Sequence, residues 1–344
     1  VEIAAVLLIT LLAFGLRVWW LEEAVHKFVD EIHFSSAVAQ LFGGTSGIKL
    51  LAPFAGITAF PWLYPYWQYE IAALNGRNLA SLRLVSAVLG TLTIPALYLL
   101  ARTLFDRTTA IMAALLLATF PPHLHFSRIG LNNVADPLAG TLALALLARG
   151  MQSGRRLDYA LAGAALGLTQ YFYEGGRLLF PPLVAAWLAV LWVMGRGTAR
   201  RASTGFHWRN LAALALVALL VALPVYTTLL SEGKSVVPRM ETVALGGTYY
   251  QRVVELGTPQ TLAEQLARPF LVYVHMPETG LFYGGAQPLI LETLVPVFLL
   301  GVFGLLWRWR QPGILVLLWV LITSAGNMLM TESAIFARYV VDYP

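Results

Sequence analysis

Nine apolar runs divide the chain, at 3–21, 80–101, 108–126, 135–149, 159–173, 178–195, 210–230, 289–307 and 312–330. Most approach the length of about 20 residues that carries a helix across the hydrocarbon core of a bilayer. They predict nine membrane-spanning helices, those at 135–149 and 159–173 being short. The first run is too long for the apolar part of a signal peptide, and no small-residue cleavage site follows it. Between the first two runs, residues 31–42 have a helical period of their own. Phe34, Ala37, Val38 and Leu41 fall at i, i+3, i+4 and i+7, whereas Glu31, Ser35 and Gln40 face elsewhere, and Gly43-Gly44 supplies a stop. A short helix with one greasy face directly after a span is expected to lie in the plane of the interface, with Asp30 at its N-cap.

Composition supports the pattern. The chain is 58% hydrophobic and 12% charged, against roughly 25% charged in soluble domains. The fold class expected is all-α, a polytopic helical integral membrane protein. The absence of cysteine excludes disulfides and thiolate metal sites. The sequence pI near 9.5 does not point to nucleic acid, because the basic residues are distributed by topology. Arg102 and Arg107, then Arg149, Arg155 and Arg156, then Arg196, Arg200, Arg201 and Arg209, then Arg308 and Arg310 occupy every second loop. The positive-inside rule places those loops, and the N-terminus, in the cytoplasm.

The opposite loops are unequal. Residues 22–79 and 231–287 form two large outer segments rich in Trp, Tyr, Phe and Pro. Connections this long are usually functional or disordered, and their aromatic content argues against disorder. A lipid or sugar transporter would place paired charges or broken helices at mid-membrane depth. Here the ionisable groups crowd the outer boundary instead, which points to an active or binding surface there.

At that boundary the sequence resembles a known family. Asp30-Glu31 followed by Ile32-His33-Phe34 resembles the acidic motif in the first extracytoplasmic loop of the protein O-mannosyltransferases, members of the GT-C glycosyltransferases. Residues 82–105 resemble their second span, "HFSRIGL" at 125–131 the outer end of their third, and the closing "FARYVVDYP" the start of a later segment. The chain departs from that family where residues 60–70 read "FPWLYPYWQYE", without Asp or His, and where Asn132 and Asn133 stand in place of an acid, with Asp136 further on. The closer resemblance is to the bacterial glycosyltransferase 39/83-like group, which includes the aminoarabinose transferase of lipid A.

The resemblance implies a GT-C-like domain over 1–344, truncated at its C-terminus, in the plasma (inner) membrane with its active site outside. It implies transfer of a sugar, with inversion, from a polyprenyl-phosphate donor to a hydroxyl of an acceptor glycan, lipid or protein. Asp30 would be the general base, and Glu31 would orient the acceptor or Asp30, or be structural. Capping alone is the competing role for Asp30. The departing phosphate needs positive charge or N–H donors. Arg128 and Arg177 sit at outer span ends and suit bidentate phosphate contact, unless they only snorkel or pair with Glu174. His123 and His125 flank Arg128 and would add donors. Alternate residues do not share a helix face, so no metal and no cofactor is expected, a divalent ion being conceivable without being indicated. In "YFYEGGR", residues 171–177, Tyr171 or Tyr173 could stack on a sugar beside Glu174. Tyr249, Tyr250, Tyr273, His275 and Tyr283 are candidates for an acceptor groove. A non-catalytic subunit of a membrane complex would share the topology and is the other alternative.

Overall fold

The computed structural model of the chain describes residues 2–23, 25–26, 29–54, 60–196, 207–244, 257–278, 280, 282–308, 311–330 and 333–344. Apart from an isolated bridge between Pro53 and Pro61, the regular structure among these residues is helical. In chain order the α-helices are α1 (Glu2–Val18), α2 (Val29–Gly43), α3 (Leu63–Asn75), α4 (Leu79–Leu104), α5 (Arg107–Thr119), α6 (Pro121–Phe126) and α7 (Ala135–Ser153). They continue with α8 (Arg156–Leu168), α9 (Glu174–Arg196), α10 (Trp208–Ser231), α11 (Pro238–Val243), α12 (Pro259–Leu271), α13 (Val295–Arg308) and α14 (Gln311–Met328).

Each apolar run of the sequence coincides with a helix. The helical stretches Leu79–Leu104, Asn132–Ser153, Glu174–Gly195 and Trp208–Ser231 are long and apolar enough to cross a membrane, while Arg107–Thr119, Glu292–Trp307 and Gly313–Met328 are shorter apolar helices. Local chemistry sets several boundaries. The Asn78 side chain caps α4 by accepting from the Ser81 N–H, and Asp106 caps α5 through the Thr109 N–H. Pro121 at the start of α6 divides the run at 108–126, a first-turn position where its missing N–H costs nothing and its fixed φ suits the helix. Gly154, at φ 69°, ends α7 in the left-handed conformation.

Packing radiates from α4, which touches α1, α3, α5 and α7, and α7 and α10 both pack on α8. Gly163 and Gly167 let α8 and α10 approach. A Cβ at Gly163 would stand 2.3 Å from the Leu214 carbonyl oxygen, and one at Gly167 2.6 Å from the Val221 Cβ. Small residues four apart serve membrane helices this way, because lipid gives no hydrophobic drive for helix association. Leu7, Leu8 and Leu11 of α1, Leu216, Leu219 and Leu220 of α10, and Val297 and Leu300 of α13 stay exposed, as bilayer-facing side chains must.

The greasy face expected on α2 exists, but it is turned to protein and not to lipid. Phe34, Ala37, Val38 and Leu41 are all buried. The Phe34 ring meets Phe54 edge-on at 5.1 Å and Tyr64 at 5.6 Å. Aromatic residues of the same outer segment supply a denser cover than acyl chains would. The C-terminal residues are likewise internal: two 3₁₀ turns, Phe336–Arg338 and Val340–Asp342, carry Phe336, Tyr339 and Val340 into the core.

The alternation of arginine-rich loops predicts opposite sides for Gln152 and Ser235. Single cysteines there, in a chain that has none, should react with an impermeant maleimide from opposite faces of a sealed vesicle. Reaction of both from one face would overturn the topology.

Candidate functional site

A cavity of about 670 Å³ opens between α2, α9, α14 and the C-terminal turns. Its polar part is lined by Asp30, Asn132, Asn133, Tyr173, Glu174 and Arg338. From there it follows α9 through Leu178, Leu179 and Pro182, and α14, from Met330 just beyond its end, through Gly326 and Ile322. Eight residues of helix from Glu174 to Pro182 amount to about 12 Å at 1.5 Å per residue. The cavity is therefore a polar chamber continued by an apolar groove between two helices.

Asp30 reaches the chamber because its neighbour is held elsewhere. α2 begins at Val29, so Asp30 lies in the first helical turn and not at the N-cap before it. Consecutive helical residues point about 100° apart. Glu31 turns inward to Arg83 of α4, which grips it with two prongs, Nε to Oε1 at 2.8 Å and Nη2 to Oε2 at 2.8 Å. Glu31 Oε1 also accepts from the Gly130 N–H at 2.7 Å. The same guanidinium donates to the carbonyls of Leu21, Glu22 and Val25 at 3.0, 3.1 and 3.1 Å. A buried ion pair is tolerable only when its remaining donors and lone pairs are satisfied, and here the guanidinium and carboxylate are both heavily engaged. Glu31 thus fixes the first turn of α2 to α4 and to the turn at 127–131, and leaves Asp30 on the cavity side.

The other candidates separate into two groups. Tyr173 and Glu174 line the cavity, and Glu174 Oε1 accepts from the Met240 N–H at 2.8 Å. Asp136, buried at the start of α7, holds that stretch by accepting from the Gly176 N–H at 3.0 Å. A Cβ at Gly176 would come within 2.3 Å of the Asp136 carboxylate, so this position requires glycine. Arg128, Arg177, His123, His125 and Glu31 are not among the lining residues. Arg177 is buried and directs Nη1 to the Val236 carbonyl at 2.6 Å and Nη2 to the Gln170 carbonyl at 2.9 Å. Arg128 donates to the Trp19 carbonyl. Burial, with some help from Arg83, lowers its pKa, but a guanidinium remains charged at any physiological pH. His123 is buried with Nδ1 2.7 Å from Arg17 Nη2. His125 Nε2 lies 2.6 Å from the carbonyl of Phe282, itself a lining residue, so His125 acts on the chamber through its wall. Tyr283 stacks on Phe336 at 5.5 Å, Tyr273 hydrogen-bonds Asp342, and His275 is exposed. Tyr249 and Tyr250 lie outside the described residues. Among the described residues no three His, Asp or Glu side chains converge as a metal site.

Residues 60–228 match the family described as dolichyl-phosphate-mannose-protein mannosyltransferase. The fold is similar to that of ArnT from Cupriavidus metallidurans bound to undecaprenyl phosphate, with a TM-score of 0.64 at 15% identity over 100% of this chain and 57% of that one. It is also similar to the Archaeoglobus fulgidus oligosaccharyltransferase in its apo form, with a TM-score of 0.62 at 16% identity over 99% of this chain and 49% of the other. The chain is thus similar to that family over residues 60–228 and shares the fold of these membrane proteins. A further GT-C structure, archaeal AglB from Archaeoglobus fulgidus in complex with an inhibitory peptide and a dolichol-phosphate, matches with a TM-score of 0.57 at 16% identity over 99% of this chain and 50% of that one. No curated protein sequence matches the chain. The chain spans about half the length of those structures.

One charged residue of the chamber was not singled out from the sequence. Arg338 lies in the closing "FARYVVDYP" and reaches the cavity on the 3₁₀ turn Phe336–Arg338. Glu278 holds that turn: its Oε1 accepts from the Phe336 N–H at 3.0 Å, and its Oε2 from the N–H groups of Tyr283 at 2.5 Å and Gly284 at 2.9 Å. One carboxylate of the second outer segment thereby seats both the Arg338 turn and the residues next to Phe282. The only local signal for Arg338 was the resemblance of that nonapeptide to a later family segment.

Proposed function

We propose that the chain is the membrane domain of a glycosyltransferase that moves a sugar from a polyprenyl-phosphate donor to an acceptor hydroxyl at the extracytoplasmic face, inverting the anomeric centre. The observation that carries this reading is the continuity of the cavity. A carboxylate, Asp30, and a guanidinium, Arg338, share a polar chamber that runs into an apolar groove between α9 and α14. A lipid-linked sugar has the same two-part chemistry. The undecaprenyl phosphate in the ArnT structure and the dolichol-phosphate in the AglB structure support it by analogy of fold.

In the step proposed, the acceptor oxygen attacks the anomeric carbon from the face opposite the phosphate. Asp30 takes the hydroxyl proton as the new C–O bond forms. The bond from the anomeric carbon to the phosphate oxygen breaks, and the electron pair leaves with the phosphate. The second ionisation of a phosphate monoester lies near pKa 6, so the leaving group needs charge stabilisation more than a proton. Arg338 supplies that in a partly desolvated chamber, a role for which it is placed, since it lines the chamber and Arg128 and Arg177 do not. Glu31 and Arg83 act as positioning residues.

The deciding experiment is transfer by purified protein in nanodiscs from undecaprenyl-phosphate sugars and, separately, from soluble nucleotide sugars. Activity with the lipid-linked donors alone is expected, and use of a nucleotide sugar without lipid carrier would overturn the reading. Arg338→Ala should raise KM for the lipid donor by about 10- to 100-fold, the equivalent of the roughly 1.5–3 kcal/mol of a hydrogen bond to a charged group. An unchanged KM would remove Arg338 from the phosphate site.

A further inference from the structure

α12 has the strongest amphipathic character of the longer described helices and the least apolar composition. Leu262, Leu266 and Phe270, four residues apart, form one stripe with Ala263 and Ala267 beside it. The three large side chains are 45%, 44% and 36% exposed. A second side carries Glu264 and Arg268, paired at 3.3 Å. Only a third, narrow edge meets the protein. There Gln265 Nε2 donates to the carbonyls of Met328 at 2.9 Å and Met330 at 2.7 Å, and Pro269 is buried. The Met328 carbonyl is one of the acceptors left without an intrahelical partner at the C-terminus of α14. Gln265 satisfies it and so pins α12 across that helix end.

The attachment point says what covers the stripe. The end of α14 is the outer end of an apolar helix, and neighbouring α13 exposes Val297 close to its own outer end, with Leu294 exposed in the 3₁₀ turn Glu292–Leu294 just before it. The hydrocarbon boundary therefore passes at this level. A helix with an exposed leucine stripe, a charged opposite side and low overall hydrophobicity has the make-up of one lying in a lipid interface. Leu329 and Met330, directly beside the Gln265 bonds, line the cavity.

We propose that α12 is an interfacial helix whose Leu262–Leu266–Phe270 stripe inserts into the outer leaflet at the open edge of the cavity, and that it forms the sill across which a polyprenyl chain passes from the bilayer into the groove between α9 and α14. The partner of the stripe is bilayer lipid. The second half of the proposal rests on the donor assignment above, and the first half does not.

The cysteine-free chain allows a direct test. Leu266→Cys and Glu264→Cys, each labelled with an NBD fluorophore, are placed in nanodiscs of phosphatidylethanolamine and phosphatidylglycerol containing a lipid spin-labelled near its carbonyl. The probe at 266 should emit further to the blue and be quenched several-fold more than the probe at 264. Equal quenching at the two positions would overturn insertion. In the second arm, the L262E/L266E variant in nanodiscs should show a KM for undecaprenyl-phosphate sugar raised by about tenfold, the equivalent of about 1.4 kcal/mol, with a short-chain, water-soluble prenyl-phosphate sugar used as by the parent. Insertion with an unchanged long-chain KM would overturn the sill, and equal loss with both donors would do the same. If the parent protein uses neither donor, the donor assignment fails while the quenching result still decides the interfacial helix.

Discussion

Asp30→Asn is expected to lower sugar transfer by about 10²- to 10⁴-fold, the usual contribution of a positioned general base, with little change in thermal stability or in binding of the lipid donor. Asn keeps the size of the side chain and much of its ability to accept hydrogen bonds in a first helical turn, but it cannot take a proton. The substitution therefore separates chemistry from structure. Asp30→Ala is less informative, because an acid in the first turn also favours the helix macrodipole, worth about 0.3–1 kcal/mol. Turnover of a folded Asp30→Asn protein close to the parent's would exclude Asp30 as base; among the described residues the other carboxylate that lines the chamber is Glu174, whose Oε1 already accepts from the main chain.

The largest expected loss of stability is at Arg83→Met. It would strand Glu31 in a site where the carboxylate is almost fully buried, and would leave the carbonyls of Leu21, Glu22 and Val25 without their donor. Breaking one side of a buried pair typically costs roughly 3–5 kcal/mol. Apparent thermal unfolding of the detergent-solubilised protein should fall by several degrees or more. Arg83→Lys should rescue little of this, since one ammonium cannot reproduce a two-pronged contact. Because Glu31 adjoins Asp30, transfer should fall with stability. A melting temperature within a degree of the parent's would show that the pair does not anchor the first outer segment.

The contrast between Asp30 and Glu31 shows where local pattern stops being informative. The two are adjacent acids in one helical turn, and nothing within residues 28–34 says which faces the chamber. Arg83, some fifty residues later, decides it by drawing Glu31 to α4. Arg128 and Arg177 show the same limit. Their position at outer span ends is readable from the sequence, but the carbonyls of Trp19, Val236 and Gln170 determine where the guanidinium groups point. Arg338 shows it most strongly, because it lines the same cavity as Asp30 from nearly the other end of the chain.

What the sequence determined alone follows from short-range physics. Apolar runs near bilayer length must become helices, because a lipid-exposed backbone has no other way to satisfy its hydrogen bonds. Asn78, Asp106, Pro121 and Gly154 set boundaries by capping or by fixed φ within a few residues. The period of residues 31–42 correctly placed Phe34, Ala37, Val38 and Leu41 on one buried face. Tertiary structure alone decided that this face meets Phe54 and Tyr64 and not lipid, whereas α12, which begins at Pro259 and carries Pro269 in its last turn, presents its stripe outward. An amphipathic period specifies that a face must be covered, but not by what, and that choice depends on which segments the chain brings alongside.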